Sequence, residues 1–141
     1  MTIGIICGSN RINSESIRVC KYLKETEEKK HSHQAFEILH LAKEKIPFWP
    51  EKKESFEAIW QPIAAFLQKC SGFIVVTPEW HGMVPSVLKN FFLHCRYREL
   101  GHKPALIVAV SSGRGGSYPI TELRMSSYKN NRICYIPEHI I

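Results

Sequence analysis

Residues 2–16 read TIGIICGSNRINSES and join a short apolar run to a polar loop. The run 2–7 is almost continuously apolar, which is typical of a β-strand buried on both faces of a sheet. The loop 8–16 contains three serines, two asparagines and one arginine, which is more hydrogen-bond donors than a turn from strand to helix requires. The excess of donors predicts an anion-binding site beside the first strand.

Short apolar runs and longer amphipathic runs alternate along the rest of the chain. Strands are predicted over 2–7, 34–41, 72–77, 104–110 and 132–137, and helices over 14–30, 55–70, 86–94 and 120–129. Strands that alternate with helices predict an α/β fold with a parallel sheet and helices on both faces. Pro62 indicates that the helix at 55–70 either kinks or begins there, and IPFWP (46–50) is a proline-bracketed loop.

The length and the charge of the chain limit what kind of protein it can be. A chain of 141 residues is expected to form one domain, residues 1–141, whose core needs no metal or disulfide. The net charge of +6 favours an acidic ligand such as a phosphorylated cofactor, and also RNA or an anionic surface. The basic residues are scattered, as on an ordinary solvated exterior. No basic stripe is interleaved with aromatic residues, so a nucleic-acid partner is not expected.

The cysteines and histidines show no spacing that would hold a metal. The five cysteines form no Cys-x-x-Cys pair, so neither a disulfide framework nor a zinc site is expected, and a reducing cytoplasm is the natural setting. Cys7 is interpreted as a buried thiol at the end of the first strand. The chain opens without a secretory signal and has no apolar stretch of membrane-spanning length, which argues against a membrane partner.

Polar or glycine-rich loops follow the first, third and fourth predicted strands. In a parallel sheet these loops meet at the carboxyl ends of the strands, where ligands bind in such folds. In the first loop Ser9, Ser14 and Ser16 are donors. Arg11 adds a charged fork suited to phosphate, close to the N-terminus of the next helix. The alternative is that Asn13 or Ser14 only caps that helix, and that Arg11 is only exposed.

The second loop, TPEWHGMVP (77–85), is stiffened by prolines and carries an aromatic side chain at the mouth of the sheet. Trp80 could flank a flat heteroaromatic ring, and His81 could contact a ligand or act as an acid or base. Packing for Trp80 and simple exposure for His81 are the alternatives. The third loop, SSGRGGS (111–117), is either a nest of backbone N–H groups facing an anion or an electron-rich edge, or a flexible connector.

Two of these loops carry motifs of a known family. GSNRINS (8–14) matches Gly-Ser-x-Arg-x-x-Ser. TPEWHGMVPSVLKN (77–90) is similar to Thr-Pro-Glu-Tyr-Asn-Gly-Ser-x-Pro-Gly-x-Leu-Lys-Asn, with departures that include Trp80, His81 and Met83. The glycine-rich third loop, with ELR (122–124) in the next helix, also fits. Over essentially its whole length the chain resembles the NADPH-dependent FMN reductases of the flavodoxin-like superfamily.

The resemblance implies a flavodoxin-like three-layer sandwich whose five-stranded parallel sheet has the order 2-1-3-4-5. It implies that the FMN phosphate is held by Ser9, Arg11, Ser14 and Ser16. It implies that the isoalloxazine ring lies against Pro78, Glu79, Trp80 and His81, with Ser112, Gly113, Gly115 and Gly116 at its other edge. NADPH or NADH would pass a hydride to FMN, which would reduce a small acceptor such as a flavin, quinone, chromate or azo compound. No side chain need be a nucleophile, so no catalytic residue is expected.

Two other functions stay open at this point: a flavodoxin-like electron carrier, and a degenerate non-catalytic flavin-binding or interaction module. Relatives usually continue past the fifth strand into a closing helix, whereas this sequence stops at Ile141, so one face of the sheet is expected to be bare unless a partner subunit covers it or the sequence is a fragment. A homodimer or homotetramer is expected, formed through the helix from Pro85 to Cys95 and the segment 96–98. Phe91 and Phe92 are predicted not to face the same core, since they are consecutive.

Overall fold

The computed structural model describes residues 1–49, 55–113 and 115–141. The strands are β1 (Thr2–Cys7), β2 (Ala35–His40), β3 (Cys70–Pro78), β4 (Pro104–Val110) and β5 (Cys134–Ile140). They form one sheet in the order β2-β1-β3-β4-β5, and every neighbouring pair is parallel. The predicted α/β fold and its strand order are therefore confirmed.

The helices that connect the strands pack on both faces of this sheet. They are α1 (Glu15–Lys30), α2 (Leu41–Glu44), α3 (Phe56–Lys69), α4 (Ser86–His94), α5 (Tyr97–Leu100) and α6 (Ser117–Met125). The short helices α2 and α5 were not predicted, because four residues are too few to show an apolar period. No helix in the described part of the chain is long and apolar enough to cross a membrane.

Several predicted boundaries are wrong by a few residues. Helix α3 starts at Phe56 and runs through Pro62, so the alternative that a helix begins at Pro62 is wrong. Helix α6 starts and ends earlier than predicted, because Gly116 at φ +96° begins it and the extended Ser126 ends it. Strand β5 lies two to three residues further along the chain than predicted. The predicted loop at 46–50 has no helix or strand over 46–49, and residue 50 lies outside the described residues.

The larger core cluster lies between the sheet and helices α3, α4 and α6. Phe91 is 0% and Phe92 is 7% exposed, and both belong to this cluster with their rings 5.4 Å apart. The prediction that they face different surroundings is therefore wrong. Consecutive helical residues point about 100° apart, but α4 has neighbours on two sides. Phe91 lies beside Trp60 of α3, and Phe92 shares a groove with Leu123 of α6.

The smaller core cluster lies on the other face, where α1 packs on β2, β1 and β3. Cys7 is fully buried there, as predicted, and so is Cys20. A hydrogen bond with the Cys20 thiol lowers the pKa of Cys7, although burial acts in the opposite direction. On the same face, Leu106 and Val110 of β4 are only half-buried.

Candidate cofactor-binding site

The three polar loops begin side by side at the carboxyl edge of the sheet. β1, β3 and β4 end at Cys7, Pro78 and Val110, and they are neighbours in the sheet. The Gly8 N–H donates to the Val76 carbonyl at 2.8 Å, and the Glu79 N–H donates to the Val110 carbonyl at 3.0 Å. These bonds hold the start of the first loop against β3 and the start of the second loop against β4.

Two serines of the first loop accept hydrogen bonds from the loop's own backbone. Ser14 caps α1, since its Oγ accepts from the Ile17 N–H at 3.2 Å. Ser9 is fully buried, and its Oγ accepts from the Arg11 N–H at 3.2 Å. The capping interpretation of Ser14 is therefore confirmed, but it does not exclude a ligand. A hydroxyl that accepts a bond keeps its own O–H to donate.

Ser16 differs from Ser9 and Ser14 in that its buried hydroxyl accepts no hydrogen bond from the described residues. It is 1% exposed, and its Oγ has no hydrogen-bond partner among the described residues. It lies in the first turn of α1, where backbone N–H groups lack intrahelical partners. Leaving a buried hydroxyl unpaired costs about 1–3 kcal/mol. A phosphate oxygen at this helix N-terminus would satisfy it, so the residues present fit the FMN phosphate.

Arg11 is held by contacts from two other parts of the chain. Its guanidinium carbon lies over the Trp80 ring, 5.0 Å from the centroid. Its carbonyl oxygen lies 3.4 Å from Nε2 of His40, a buried residue at the end of β2. The sequence predicted Arg11 and Trp80 as site residues but gave no signal for His40, since a single histidine at a strand end has no local motif. The structure brings the first and second loops together at Arg11.

The second loop contains a tight hairpin turn. The N–H groups of Trp80 and Met83 each donate to the other's carbonyl, at 3.0 and 2.9 Å. His81 and Gly82 both have positive φ, at 51° and 76°, which is the geometry of a type I′ turn. Asn-Gly is the preferred pair for this turn, so this geometry explains the Asn-Gly of the motif and makes His81 the departure. The His81 side chain is exposed.

Glu79 joins the second loop to the third. Its carboxylate accepts a hydrogen bond from the Gly116 N–H. A Cβ on Gly115 would lie 2.5 Å from Oε2 of Glu79, so a larger residue there would displace the carboxylate. The backbone N–H of Glu79 is bonded to Val110 and that of Trp80 to Met83. In this structure both N–H groups are therefore already paired within the protein.

Two other residues of the third loop, Ser112 and Gly113, lie at the surface. A Cβ on Gly113 would meet nothing within 4 Å. Residue 114 lies outside the described residues. The structure thus places Gly115 and Gly116 beside Glu79, but it does not bring Ser112 or Gly113 against the first or second loop. A nest of N–H groups over this part of the loop stays a prediction.

A pocket of about 340 Å³ opens between the first and second loops, lined by Asn10, Arg11, Trp80, Met83, Val84, Pro85 and Ser86. Trp80 is 40% and Met83 is 51% exposed, so the rim is apolar and accessible. Tyr118, which sequence reasoning missed, lies beside the turn of the second loop: a Cβ on Gly82 would lie 3.7 Å from its ring. Tyr118 follows the third loop and has no motif of its own.

A larger cavity, of about 530 Å³, lies beside α3 and α5, away from the three loops. Its buried carboxylate, Glu99, already accepts from the Arg96 N–H at 2.8 Å and from Nε2 of Gln68 at 3.4 Å. Volume alone would favour this cavity. The smaller pocket is the better candidate, because it adjoins the loop that contains Ser16, a buried hydroxyl without a partner.

The end of the 77–90 motif stabilises the second loop from outside the pocket. Lys89 pairs with Glu122 of α6 at 2.5 Å, and Glu122 also accepts from the Val84 N–H at 2.7 Å. Partial burial would raise the pKa of Glu122, but the bonds from Lys89 and Val84 outweigh it and lower this pKa below 4.5. Asn90 holds the 46–49 loop through the Trp49 N–H and the Pro47 carbonyl, at 2.9 and 3.0 Å.

Comparison with known proteins identifies the family of this chain. The model of the family "NADPH-dependent FMN reductase" matches residues 1–141. The chain belongs to this family. It is 26% identical over 129 residues to the NADPH azoreductase of Bacillus sp. strain OY1-2, covering 89% of this chain and 68% of that one. The family is one of oxidoreductases that use FMN and NADPH, so the resemblance in the sequence is confirmed.

Solved structures of two oxidoreductases share this fold. The flavoenzyme NAD(P)H:(acceptor) oxidoreductase FerB from Paracoccus denitrificans superposes with a TM-score of 0.71 at 19% identity, over 99% of this chain and 78% of its own. An FMN-dependent NADH-azoreductase from Bacillus anthracis, solved in complex with FMN, gives a TM-score of 0.72 at 16% identity, over 100% of this chain and 86% of its own. At these identities the likeness establishes the flavodoxin-like fold.

Proposed function

We propose that this protein is an FMN-dependent NAD(P)H oxidoreductase that reduces a small-molecule acceptor. The observation that carries the proposal is the buried hydroxyl of Ser16 at the N-terminus of α1, which has no hydrogen-bond partner in the described part of the chain and comes just after the family's first motif. A bound FMN would take a hydride from NADPH or NADH and pass the electrons to the acceptor. The protein's part is to bind and orient the flavin and its substrates.

The first loop would hold the phosphate. Ser9 and Ser14 keep O–H donors free, Ser16 has no other partner, and Arg11 supplies a charged fork. The N-terminal dipole of α1 favours negative charge at the same point. In this proposal the phosphate, rather than the flavin ring, provides most of the directional bonds.

The second and third loops would border the flavin ring. We assign Pro78, Glu79, Trp80 and His81 to one edge, and Ser112, Gly113, Gly115 and Gly116 to the other. The bond from Gly116 to Glu79 supports this assignment for Gly115 and Gly116, because it holds the two loops at a fixed spacing. The apolar rim at Trp80 and Met83 suits a small planar acceptor, such as a flavin, quinone or azo compound, better than chromate.

We also propose that the protein self-associates and works in the cytoplasm as a single domain, 1–141. Leu93 and Tyr97, both within the expected interface at 85–98, are 57% and 56% exposed, and grouped exposed apolar side chains mark interaction sites. A reducing compartment suits five cysteines without a pairing motif.

No observation favours the electron-carrier alternative, since the family is one of NADPH-dependent reductases.

The test is a titration of the protein with FMN, followed by quenching of flavin fluorescence. Ser16→Ala should weaken FMN binding roughly tenfold or more, since a hydrogen bond to a charged group contributes about 1.5–3 kcal/mol. The same variant should unfold at an equal or higher denaturant concentration, because it removes an unpaired buried hydroxyl. Ser32→Ala, an exposed serine after the C-terminal end of α1, is the matched control and should change neither.

The outcomes separate the candidate functions. Tight binding that Ser16→Ala weakens, together with NADPH oxidation by the FMN-loaded protein, supports the reductase. FMN binding without NADPH or NADH oxidation would favour the electron carrier. A folded protein that does not bind FMN contradicts the proposal and leaves a degenerate member of the family.

A further inference from the structure

We propose that Trp80 is a positioning residue for Arg11: its ring holds the guanidinium in place, ready to bind the phosphate of the flavin. This inference rests on the proposed function, because it concerns the ligand of the same site. It assigns Trp80 a role at the phosphate end of the cofactor, in addition to any contact with the flavin ring.

Hydrogen bonds anchor the backbone of Arg11. In the described part of the chain, the contact with Trp80 is what restrains its side chain. The Arg11 N–H donates to Oγ of Ser9 at 3.2 Å, and its carbonyl lies 3.4 Å from Nε2 of His40. Beyond the backbone, Arg11 is exposed. The contact described for its guanidinium is with the Trp80 ring, at 5.0 Å. An exposed arginine without such a contact would sample many rotamers, and binding a ligand would have to arrest them.

Trp80 is fixed independently of Arg11. Two bonds with Met83, at 3.0 and 2.9 Å, close the hairpin turn that starts at Trp80. The preceding residue, Glu79, is tied to β4 through Val110 and to the third loop through Gly116. At 40% exposure, Trp80 leaves ring surface open to the solvent side of the pocket. The backbone that carries the ring is therefore fixed without Arg11, and the guanidinium lies over this ring.

The contact with the ring leaves the phosphate-binding groups of Arg11 available. A cation over an aromatic ring is attracted to the electron-rich face of the ring. The N–H donors of a guanidinium lie in its plane and form a fork that matches two phosphate oxygens. Arg11 and Trp80 line one pocket of about 340 Å³. Arg11 can therefore bind the phosphate while it stays in contact with Trp80. Its side chain is already ordered before the ligand binds.

The experiment compares FMN with riboflavin, which is the same flavin without the phosphate. Dissociation constants for both ligands are measured by fluorescence quenching for the wild type, Arg11→Ala, Trp80→Leu, Trp80→Phe and the double variant R11A/W80L. The quantity of interest is the preference for FMN, the ratio of the riboflavin constant to the FMN constant. A contact between Trp80 and the flavin ring affects both ligands equally and cancels in this ratio.

We expect Trp80→Leu to lower the preference for FMN about two- to fivefold, the range of an exposed cation–π contact. In the Arg11→Ala background the same change should leave the preference unaltered, because no guanidinium remains to be positioned. Trp80→Phe, which keeps an aromatic face, should retain most of the preference. Thermal unfolding of each variant checks that the fold is intact, and the ratio is unaffected by a uniform loss of folded protein.

Two results would overturn the inference while the proposed function stands. An equal loss of affinity for FMN and riboflavin in Trp80→Leu would mean that Trp80 acts on the ring alone. A preference for FMN that rises in Trp80→Leu would mean that the ring withdraws Arg11 from the phosphate. If the wild type binds neither flavin, the proposed function fails, and this inference fails with it.

Discussion

The carboxylate of Glu122, in α6, accepts a hydrogen bond from the backbone N–H of Val84 at 2.7 Å. Val84 lies at the end of the second loop, next to Trp80 and Met83 in the lining of the candidate pocket. The other carboxylate oxygen of Glu122 pairs with Lys89 at 2.5 Å. One side chain thus holds the end of the loop and the first turns of α4 against α6.

Glu122→Ala should lower the free energy of unfolding by about 2 kcal/mol, because it leaves the Val84 N–H without its charged acceptor. The isosteric Glu122→Gln should cost less, since an amide oxygen can still accept. Glu15→Ala is the matched control: its pair with Arg18 is about 70% exposed at both ends, and such pairs contribute about 0.2–1 kcal/mol. Denaturant unfolding measures all three. Equal losses for Glu122→Ala and Glu15→Ala would contradict this role.

The pKa of Glu122 sets how the difference in stability between the wild type and Glu122→Gln depends on pH. Burial raises this pKa, but Lys89 and the Val84 N–H lower it further, so the folded-state pKa lies below 4.5. A carboxylate with a lowered folded pKa stabilises the fold above its unfolded pKa, and the effect is lost as the pH falls through the folded pKa. The difference in unfolding free energy between wild type and Glu122→Gln should therefore be full at neutral pH and shrink as the pH falls below the ordinary pKa of a glutamate. A difference that grows on acidification would contradict this assignment.

Gly116→Ala should destabilise the protein by roughly 1–2 kcal/mol, the penalty of a left-handed backbone for a residue with a side chain. Gly116 has φ +96°, and its Cβ would lie within van der Waals overlap of Ile141. Displacement of this residue would also disturb the bond to Glu79 and weaken FMN binding. Gly113→Ala is the control, since its Cβ meets nothing within 4 Å. Thermal unfolding compares the two, and similar midpoints would mean that the turn at Gly116 adapts.

His81→Asn should raise the stability by a few tenths of a kcal/mol, because Asn adopts positive φ more readily than His. His81→Val should lower it by about 1–2 kcal/mol, since a β-branched residue is strained at φ 51°. Unfolding in urea measures both changes. FMN titration of His81→Asn then tests the imidazole itself: unchanged binding limits His81 to the turn, and a clear loss indicates a contact with the flavin.

Phe92→Ala should cost about 3–5 kcal/mol, as expected for a large aromatic side chain removed from a packed core. Phe92 is 7% exposed and contacts the ring of Phe91. The adjacent Leu93 is 57% exposed, so Leu93→Ala should cost under about 1 kcal/mol in the isolated chain. If Leu93→Ala also shifts the mass in solution, Leu93 lies in a self-association surface. A small effect of Phe92→Ala would restore the original prediction that this side chain is not part of the core.

Elements with strong local signals were predicted to the residue. Helix α4 (Ser86–His94) follows Pro85, and strand β4 (Pro104–Val110) is an unbroken apolar run. Helix α6 was misplaced because it begins at Gly116, in a left-handed conformation that is an unusual start for a helix. The prediction that Phe91 and Phe92 do not face the same core was wrong because the helical period indicates one buried face. Helix α4 instead packs against neighbours on two sides.

The candidate site was predicted where a motif was contiguous. Ser9, Arg11, Ser14 and Ser16 fall within one loop, so their shared chemistry was readable from the sequence. His40 and Tyr118 were missed, because each reaches the site from a separate element and neither has a motif. Glu79 was placed at the site, but its bond to Gly116 was not foreseen.

Periodicity and loop chemistry, which depend on residues near one another in the chain, were enough to predict the parallel α/β sheet, which is confirmed, and a phosphate-binding loop after its first strand, which stays a prediction. The pairing of Arg11 with Trp80, the bond from Gly116 to Glu79 and the anchoring of Val84 by Glu122 came only with the folded chain. Each of these contacts joins residues more than thirty positions apart. Such contacts depend on strand order and on the path of each loop, which local sequence does not specify.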